Sequence, residues 1–329
     1  MRTYATSRRA ILAAMAAGVF VHARGVWANV QDFETWLAEL KQEARVRGIA
    51  EATLAQALDG VAPIDRVIEL DRKQPEFVLT FEQYLDRVVS EARVEKGRRF
   101  LAEHRALLAE VERRYAVQPR FVIALWGVES DFGRLTGDFN VVAALATLAY
   151  DGRRSAFFRK ELLDALKILD EGHITPVAMT GSWAGAMGQN QFMPSSFLAY
   201  AVDFDGDGRR DIWTSTPDVF ASIANYLASY QWRGTETWGR PVRLPSRFDP
   251  TLIGLDIRKD LRYWRALGVK SANGGPLPEA AMEASIVQPA GPGGPAYLAY
   301  DNYRVVMRWN RSLYFATAVG LLADRVARS

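Results

Sequence analysis

Between Phe121 and Gly133 the chain reads Phe-Val-Ile-Ala-Leu-Trp-Gly-Val-Glu-Ser-Asp-Phe-Gly, and Glu129 and Asp131 carry its only charges. A carboxyl set among Leu125, Trp126, Val128 and Phe132 is poorly solvated, which raises its pKa and keeps it protonated near neutral pH. Such an acid can protonate a leaving group, as the acids of glycosidases do. A buried glutamate satisfied by a backbone or arginine partner gives the same pattern, so this segment alone leaves both readings open.

A second stretch, Gly181-Ser-Trp-Ala-Gly-Ala-Met-Gly-Gln-Asn-Gln-Phe-Met-Pro-Ser-Ser-Phe197, concentrates three glycines, hydroxyls and amides. Glycine and alanine permit close backbone approach to a ligand. Ser182, Gln189, Asn190 and Gln191 offer neutral donors and acceptors, while Trp183, Phe192 and Met193 offer apolar faces. Neutral amides beside aromatic rings suit a polyhydroxylated sugar bearing acetamido groups. Taken alone, the stretch is equally a glycine-rich turn leading into a helix at Pro194.

Together these segments resemble the lytic murein transglycosylase B family. Gly127-Val-Glu-Ser130, Gly181 to Gln189 and Gln191-Phe-Met-Pro-Ser-Ser196 stand in that family's order, followed by Tyr200-Ala-Val-Asp-Phe-Asp-Gly-Asp-Gly208 and Ser222-Ile-Ala-Asn-Tyr-Leu227. The resemblance runs from about Asp32 to the end of the chain. It implies a lysozyme-like fold and a peptidoglycan lytic transglycosylase, acting on the β-1,4 bond between N-acetylmuramic acid and N-acetylglucosamine. In that family a single glutamate first protonates the glycosidic oxygen. It then takes the proton of the C6 hydroxyl, which closes a 1,6-anhydro ring without water. The match places Glu129 in both roles, with no cofactor required for the chemistry. It assigns glycan contacts to Tyr84, Ser182, Gln191, Tyr226 and Asn310. Phe157, Trp309 and Phe315 fall where relatives tend to carry tyrosine; Trp309 keeps an aromatic face for substrate and loses the hydroxyl.

Asp131 is the tempting second carboxylate of a two-acid glycosidase. Two residues apart on a helix, it faces away from Glu129, so a cap or a salt bridge is expected of it. Two rival readings are a hydrolysing muramidase, whose products would carry reducing ends, and a non-catalytic calcium-dependent wall-binding protein.

The segment Asp203 to Thr214 follows the EF-hand pattern through its first half, with acids at positions 1, 3 and 5 and Gly208 at position 6 for the turn. Thr214 stands where the bidentate glutamate belongs. The resemblance implies a lengthened loop closed by Asp218, so Asp203, Asp205, Asp207 and Asp218 are the candidate ligands of a structural Ca²⁺. A metal-free surface turn is the alternative.

The surroundings agree with an exported wall enzyme. Of 41 lysines and arginines, four (Arg2, Arg8, Arg9 and Arg24) lie in residues 1–28, which leaves 37 against 38 acids. That balance lacks the basic face a nucleic-acid partner requires. Ser7-Arg-Arg-Ala-Ile-Leu12, an apolar run from Ile11 to Val21 and Val26-Trp-Ala28 form a signal peptide of twin-arginine type, with a general secretory signal as the alternative route. Zero cysteines exclude a disulfide framework and a lipid-bearing cysteine, so a soluble periplasmic protein without a membrane anchor is expected, with peptidoglycan glycan strands as its partner.

The elements that must position Glu129 are mostly helical. Phe33, Trp36, Leu37 and Leu40 show helical spacing, Phe81 to Tyr115 reads as one long helix interrupted at most once, and Val141 to Tyr150, Phe157 to Leu169 and Pro217 to Tyr230 read as further helices. Thr216 is a hydroxyl cap ahead of Pro217. Trp238 to Leu244, Ala284 to Pro289 and Tyr303 to Trp309 read as strands, and Ser312 to Val326 as a closing helix. The fold class is α+β. After the leader at 1–28, a catalytic domain spans 29–329, with a helical body at 29–232, a small mixed lobe at 233–309 and the closing helix at 310–329.

Overall fold

The computed structural model describes residues 22–73 and 79–328, and the chain divides into two compact units at Ile49 and Ala50. The first unit holds helix α1, His22–Val46, on which Phe33 and Trp36 stack at one helical turn's separation, 5.5 Å between centroids. Most of the leader, residues 1–21, lies outside the described residues.

The second unit carries everything that bears on the site. Its helices are α2 (Glu51–Leu58), α3 (Asp65–Lys73), α4 (Phe81–Val88), α5 (Glu91–Glu103), α6 (Arg105–Tyr115), α7 (Pro119–Ser130), α8 (Val141–Tyr150) and α9 (Ser155–Asp170). After them come α10 (Pro194–Tyr200), α11 (Thr216–Ser229), α12 (Leu261–Ala266), α13 (Asp301–Trp309) and α14 (Leu313–Val326). A helix that is apolar on every side must be buried on every side. Accordingly α7 packs against α5, α6, α11 and α14, and its residues Phe121 to Gly127 are all buried.

Two antiparallel sheets complete the unit. The strand pair β1 (Phe139–Asn140) and β2 (Thr180–Gly181) joins the start of α8 to the start of the glycine-rich stretch, with Phe139 opposite Gly181. The larger sheet contains β3 (Gly239–Arg243), β4 (Lys259–Asp260), β5 (Lys270–Ser271), β6 (Glu283–Val287) and β7 (Ala296–Ala299), in the order β4-β6-β7-β3-β5. Strand β7 is buried along its whole length and β6 beyond its first residue. Ala284, Ile286, Ala296 and Leu298 on one face of these strands, with Trp264, Leu261, Leu277 and Tyr300, form a separate small core.

Three local expectations are corrected. Phe81 to Tyr115 is broken twice. Helix α4 ends at Val88, Ser90 is extended, and Arg93 donates to the carbonyls of Arg87 and Val88 that the break leaves open. His104 then departs from helical geometry, at φ −98° and ψ 20°, between α5 and α6. The cap of α11 is Ser215, whose hydroxyl accepts from Asp218 N, so Thr216 is already inside the helix.

The third correction is larger: Tyr303 to Trp309 is not a strand but most of α13. Its β-branched valines suggested extension, yet the buried positions Asn302, Tyr303, Val305 and Val306 have helical spacing. Asn302 anchors the first turn from outside, accepting from Arg233 N at 2.8 Å and donating to the carbonyls of Arg233 and Glu236. The sheet lobe therefore ends at Ala299, and the helix that follows returns to the body carrying Trp309.

Candidate active site

Helix α7 begins with Pro119 in its first turn, whose fixed φ and missing N–H suit that position. It ends one residue after Glu129, at Ser130, and Asp131 and Phe132 then both take the left-handed conformation, at φ 50° and 61°. Two consecutive non-glycine residues there are strained, and a hydrogen bond from Phe132 N to the Trp126 carbonyl holds the turn. Glu129 thus sits on the last turn of a helix that is buried from Phe121 to Gly127 and only partly covered at Val128 and Glu129.

Its carboxyl is met from α13. Trp309 donates its indole N–H to Glu129 Oε1 at 2.6 Å. Part of Glu129 remains accessible, while burial pushes its carboxyl well above the ordinary range, up to about 8, against the opposing pull of the Trp309 N–H. Tyr84 on α4 lies near enough to feel the same group: burial and the Glu129 charge push its phenol up to about 12. It stays neutral at any working pH.

Asp131 stands apart, not on another face of the helix as expected but just past its end, in the left-handed conformation. Arg134 holds it at 2.6 Å, Lys96 at 3.4 Å and Arg93 at 3.7 Å. Burial raises its pKa, but the three cations outweigh burial and keep it below the usual carboxylate range. A carboxylate so heavily paired is a poor proton carrier at neutral pH.

The glycine-rich loop is fastened to the same helix. Gln189 accepts the indole N–H of Trp126 at 2.8 Å through its side chain and the hydroxyl of Ser130 at 2.8 Å through its backbone, and donates to the Trp213 carbonyl. Asn190 is fully buried and donates to the Val219 carbonyl. These two amides are therefore structural, not the free sugar donors that their polarity suggested. Trp126 is likewise 4 % exposed and packs on Phe100, Phe132 and Phe220; it belongs to the core. Close approach explains two of the glycines. A Cβ on Gly137, at φ 90°, would meet the Gly181 carbonyl oxygen at 2.1 Å, and one on Gly181 would meet the Ala186 oxygen at 2.2 Å.

The other expected contacts separate into open and committed groups. Ser182 accepts from Ala186 N and keeps its hydroxyl hydrogen to donate. Gln191, held at φ 49°, spends its amide N–H groups on the carbonyls of Thr136 and Gly188, which leaves its amide oxygen. Asn310 is exposed beside Trp309. Tyr226 is buried, and its hydroxyl donates to the Arg308 carbonyl. It backs the Trp309 ring at 4.6 Å, with Phe192 at 5.1 Å from the same ring. From Tyr226 the aromatic wall continues to Tyr200 and Tyr230, whose hydroxyls share a 2.7 Å bond. Neither tyrosine was expected beside Trp309, because only the fold joins their helix ends. Phe157 is exposed, and Phe315 is buried in α14.

In the acidic loop, carboxylate oxygens of Asp203, Asp205 and Asp218 lie within 4.8 Å of one another. Asp207 departs from the expected set: its carboxylate turns to Arg209 at 2.9 Å. Asp218 is fully buried and accepts from Phe204 N and Asp211 N, both at 2.7 Å. Burial raises its pKa, and those two N–H groups pull it back. Three hard oxygen donors, one of them costly to bury as an anion, fit a divalent cation.

A mostly helical body with a small sheet, and a buried acid on a helix to which a glycine-rich loop is fastened, point to a lysozyme-like, glycan-cleaving enzyme. Comparison with known proteins narrows the class. Residues 32–324 match the family model described as the transglycosylase SLT domain, and the chain belongs to that family. It is 30% identical over 251 residues to the membrane-bound lytic murein transglycosylase B of Escherichia coli, covering 74% of this chain and 67% of that protein. The crystal structure of SltB3 from Pseudomonas aeruginosa in complex with NAG-anhNAM-pentapeptide is 48% identical, with a TM-score of 0.87 over 89% of this chain and 79% of that one. The Escherichia coli lytic transglycosylase SLT35 in complex with calcium is 28% identical, with a TM-score of 0.75 over 91% and 92% of the two chains.

Proposed function

We propose that Glu129 performs both proton transfers of a lytic transglycosylase on the glycan strands of peptidoglycan. The chain is such an enzyme, cleaving between N-acetylmuramic acid and N-acetylglucosamine and leaving a 1,6-anhydro end. The anhydro sugar in the SltB3 complex is the kind of product this chemistry gives. One observation supports the assignment above the rest: burial holds Glu129 protonated up to about pH 8, while Asp131 is bound to three cations.

The neutral Glu129 gives its proton to the glycosidic oxygen, the C1–O bond breaks, and positive charge develops at C1. The resulting carboxylate takes the proton of the C6 hydroxyl as that oxygen bonds to C1. Glu129 ends protonated, and no water enters. Ser182, the amide oxygen of Gln191, Asn310 and the face of Trp309 hold the sugars, and Tyr84 flanks the acid as a neutral phenol. Tyr226 serves by backing Trp309. Met193, Phe192 and Trp183 keep the reacting face apolar.

Asp203, Asp205 and Asp218 hold a Ca²⁺ that ties the loop after α10 to the first turn of α11. SLT35 is solved with calcium, and the converging oxygens support the same ion here. It supplies structure and no step of the reaction. The charged and apolar leader read in residues 1–28 supports export to the periplasm, with the catalytic domain in residues 29–329. Among the described residues no helix is long and apolar enough to cross a membrane.

Glu129→Gln tests the central assignment. Purified sacculi incubated with the variant should release no soluble muropeptides, because an amide cannot protonate the leaving oxygen. Release above a few per cent of the wild-type rate by a correctly folded variant would remove Glu129 from the reaction.

A further inference from the structure

We propose that Trp309 is a positioning residue that confines both proton transfers to a single oxygen of Glu129, Oε2. The inference rests on Glu129 being the acid and deepens that reading. It starts from a 2.6 Å hydrogen bond between two residues 180 positions apart in the chain, Trp309 Nε1 to Glu129 Oε1. An indole N–H donates and cannot accept. The oxygen it meets must therefore present a lone pair whether Glu129 is protonated or ionised. A carbonyl oxygen is a better acceptor than a protonated one, so in the acid form the proton sits on Oε2.

The consequence follows through the reaction. As the Oε2 proton passes to the glycosidic oxygen, negative charge appears on the carboxyl and the Trp309 bond becomes charge-assisted, roughly twice as strong as before. The N–H thus favours proton release without leaving its nitrogen. When the C6 hydroxyl gives up its proton, Oε1 is still occupied, so Oε2 receives it and the starting state returns. A tyrosine hydroxyl at this position could donate or accept, and would leave either oxygen free to carry the proton.

The ring is built to hold this aim. Tyr226 and Phe192 pack on it at 4.6 and 5.1 Å, and the Tyr226 hydroxyl fixes the last turn of α13 through the Arg308 carbonyl. The ionisable surroundings leave Trp309 as the principal donor to Glu129. From α4 comes Tyr84, held neutral. From α5 come Arg93 and Lys96, both paired to Asp131, the residue that follows α7. From α11 comes Tyr226, whose phenol burial also keeps neutral. The glycine-rich stretch Gly181 to Phe192 carries no charge.

The test uses the full chain. Trp309→Phe keeps an aromatic face and removes the donor. The expected result is a kcat ~10–100-fold lower with KM for a soluble glycan fragment little changed, the loss belonging to a bond that strengthens during the reaction. The alkaline limb of the pH–rate profile should move to higher pH, since the carboxylate has lost a stabilising donor. Trp309→Tyr, which restores a donor, should recover part of the rate. An unchanged kcat and alkaline limb in Trp309→Phe overturns the inference, as does a rise in KM alone, which would make Trp309 only a sugar platform. A readout on the wild type avoids dependence on the folding of a variant. The ¹⁵N–¹H resonance of the Trp309 indole should titrate with Glu129, near pH 8, and stop titrating in Glu129→Gln. An indole resonance that ignores pH between ~6 and ~10, a window spanning that ionisation, contradicts the bond. Substantial turnover by Glu129→Gln would instead unseat the acid itself, a different result from either.

Discussion

A carboxyl that resists ionisation imprints itself on both rate and stability. Glu129 is active as an acid only while protonated, so kcat/KM should fall as pH rises through about 8. The stability effect has the same sign. A group whose folded pKa lies above its unfolded value binds more protons in the native state, and the stability this gives is lost as pH climbs from 4.5 to about 8. Glu129→Gln, which cannot ionise, should therefore melt several degrees above the wild type at alkaline pH and converge with it in acid. Equal melting temperatures at both ends would mean that Glu129 is well solvated after all. Asp131→Asn should cost activity only modestly, because its partners are Arg134, Lys96 and Arg93. At this scale the poor solvation of Glu129 was legible: the helix that carries it is apolar and buried, and burial raises its pKa. Trp309 was legible as an aromatic face but not as a donor to Glu129, since nothing local links two residues so distant.

Elements set how firmly the acid is held. The glycine-rich loop reaches α7 through Gln189, so Gln189→Ala should destabilise the fold by ~1–3 kcal/mol, the cost of leaving the Trp126 N–H and the backbone acceptor Trp213 unpaired. Gly137→Ala should be worse than its size suggests, because the new Cβ would meet the Gly181 oxygen and φ is positive. Thermal melts read both losses. Wild-type stability in Gly137→Ala would show that the β1–β2 corner can yield. Helices with strong periodicity and clean ends, such as α8 and α14, were legible almost to the residue, because local pattern and tertiary burial agree there. In α13, valine and tyrosine pointed to a strand while burial and the Asn302 anchor imposed a helix. Gln189 and Asn190 looked like ligand groups for a related reason: composition reports that an amide is present, and only packing reports where it is spent.

The whole molecule joins a rigid acid to a loop that a cation can brace. Calcium should raise the melting temperature, by an amount equivalent to ~2.7 kcal/mol at a hundred times its dissociation constant. Asp203→Ala with Asp205→Ala should abolish that shift, whereas Asp207→Ala should preserve it, since Asp207 faces Arg209. A shift lost with Asp207 alone would restore the full EF-hand-like set; no shift even in the wild type would argue for a metal-free turn. The reaction itself is tested most directly by its products. An internal C6 hydroxyl held near C1 has a large effective concentration over any water that enters an apolar cleft. Sacculi digested in heavy-oxygen water and analysed by mass spectrometry should give anhydro-ended muropeptides free of the label. Reducing ends carrying the heavy oxygen as the main product would mean that water attacks C1, and that Glu129 does not work alone.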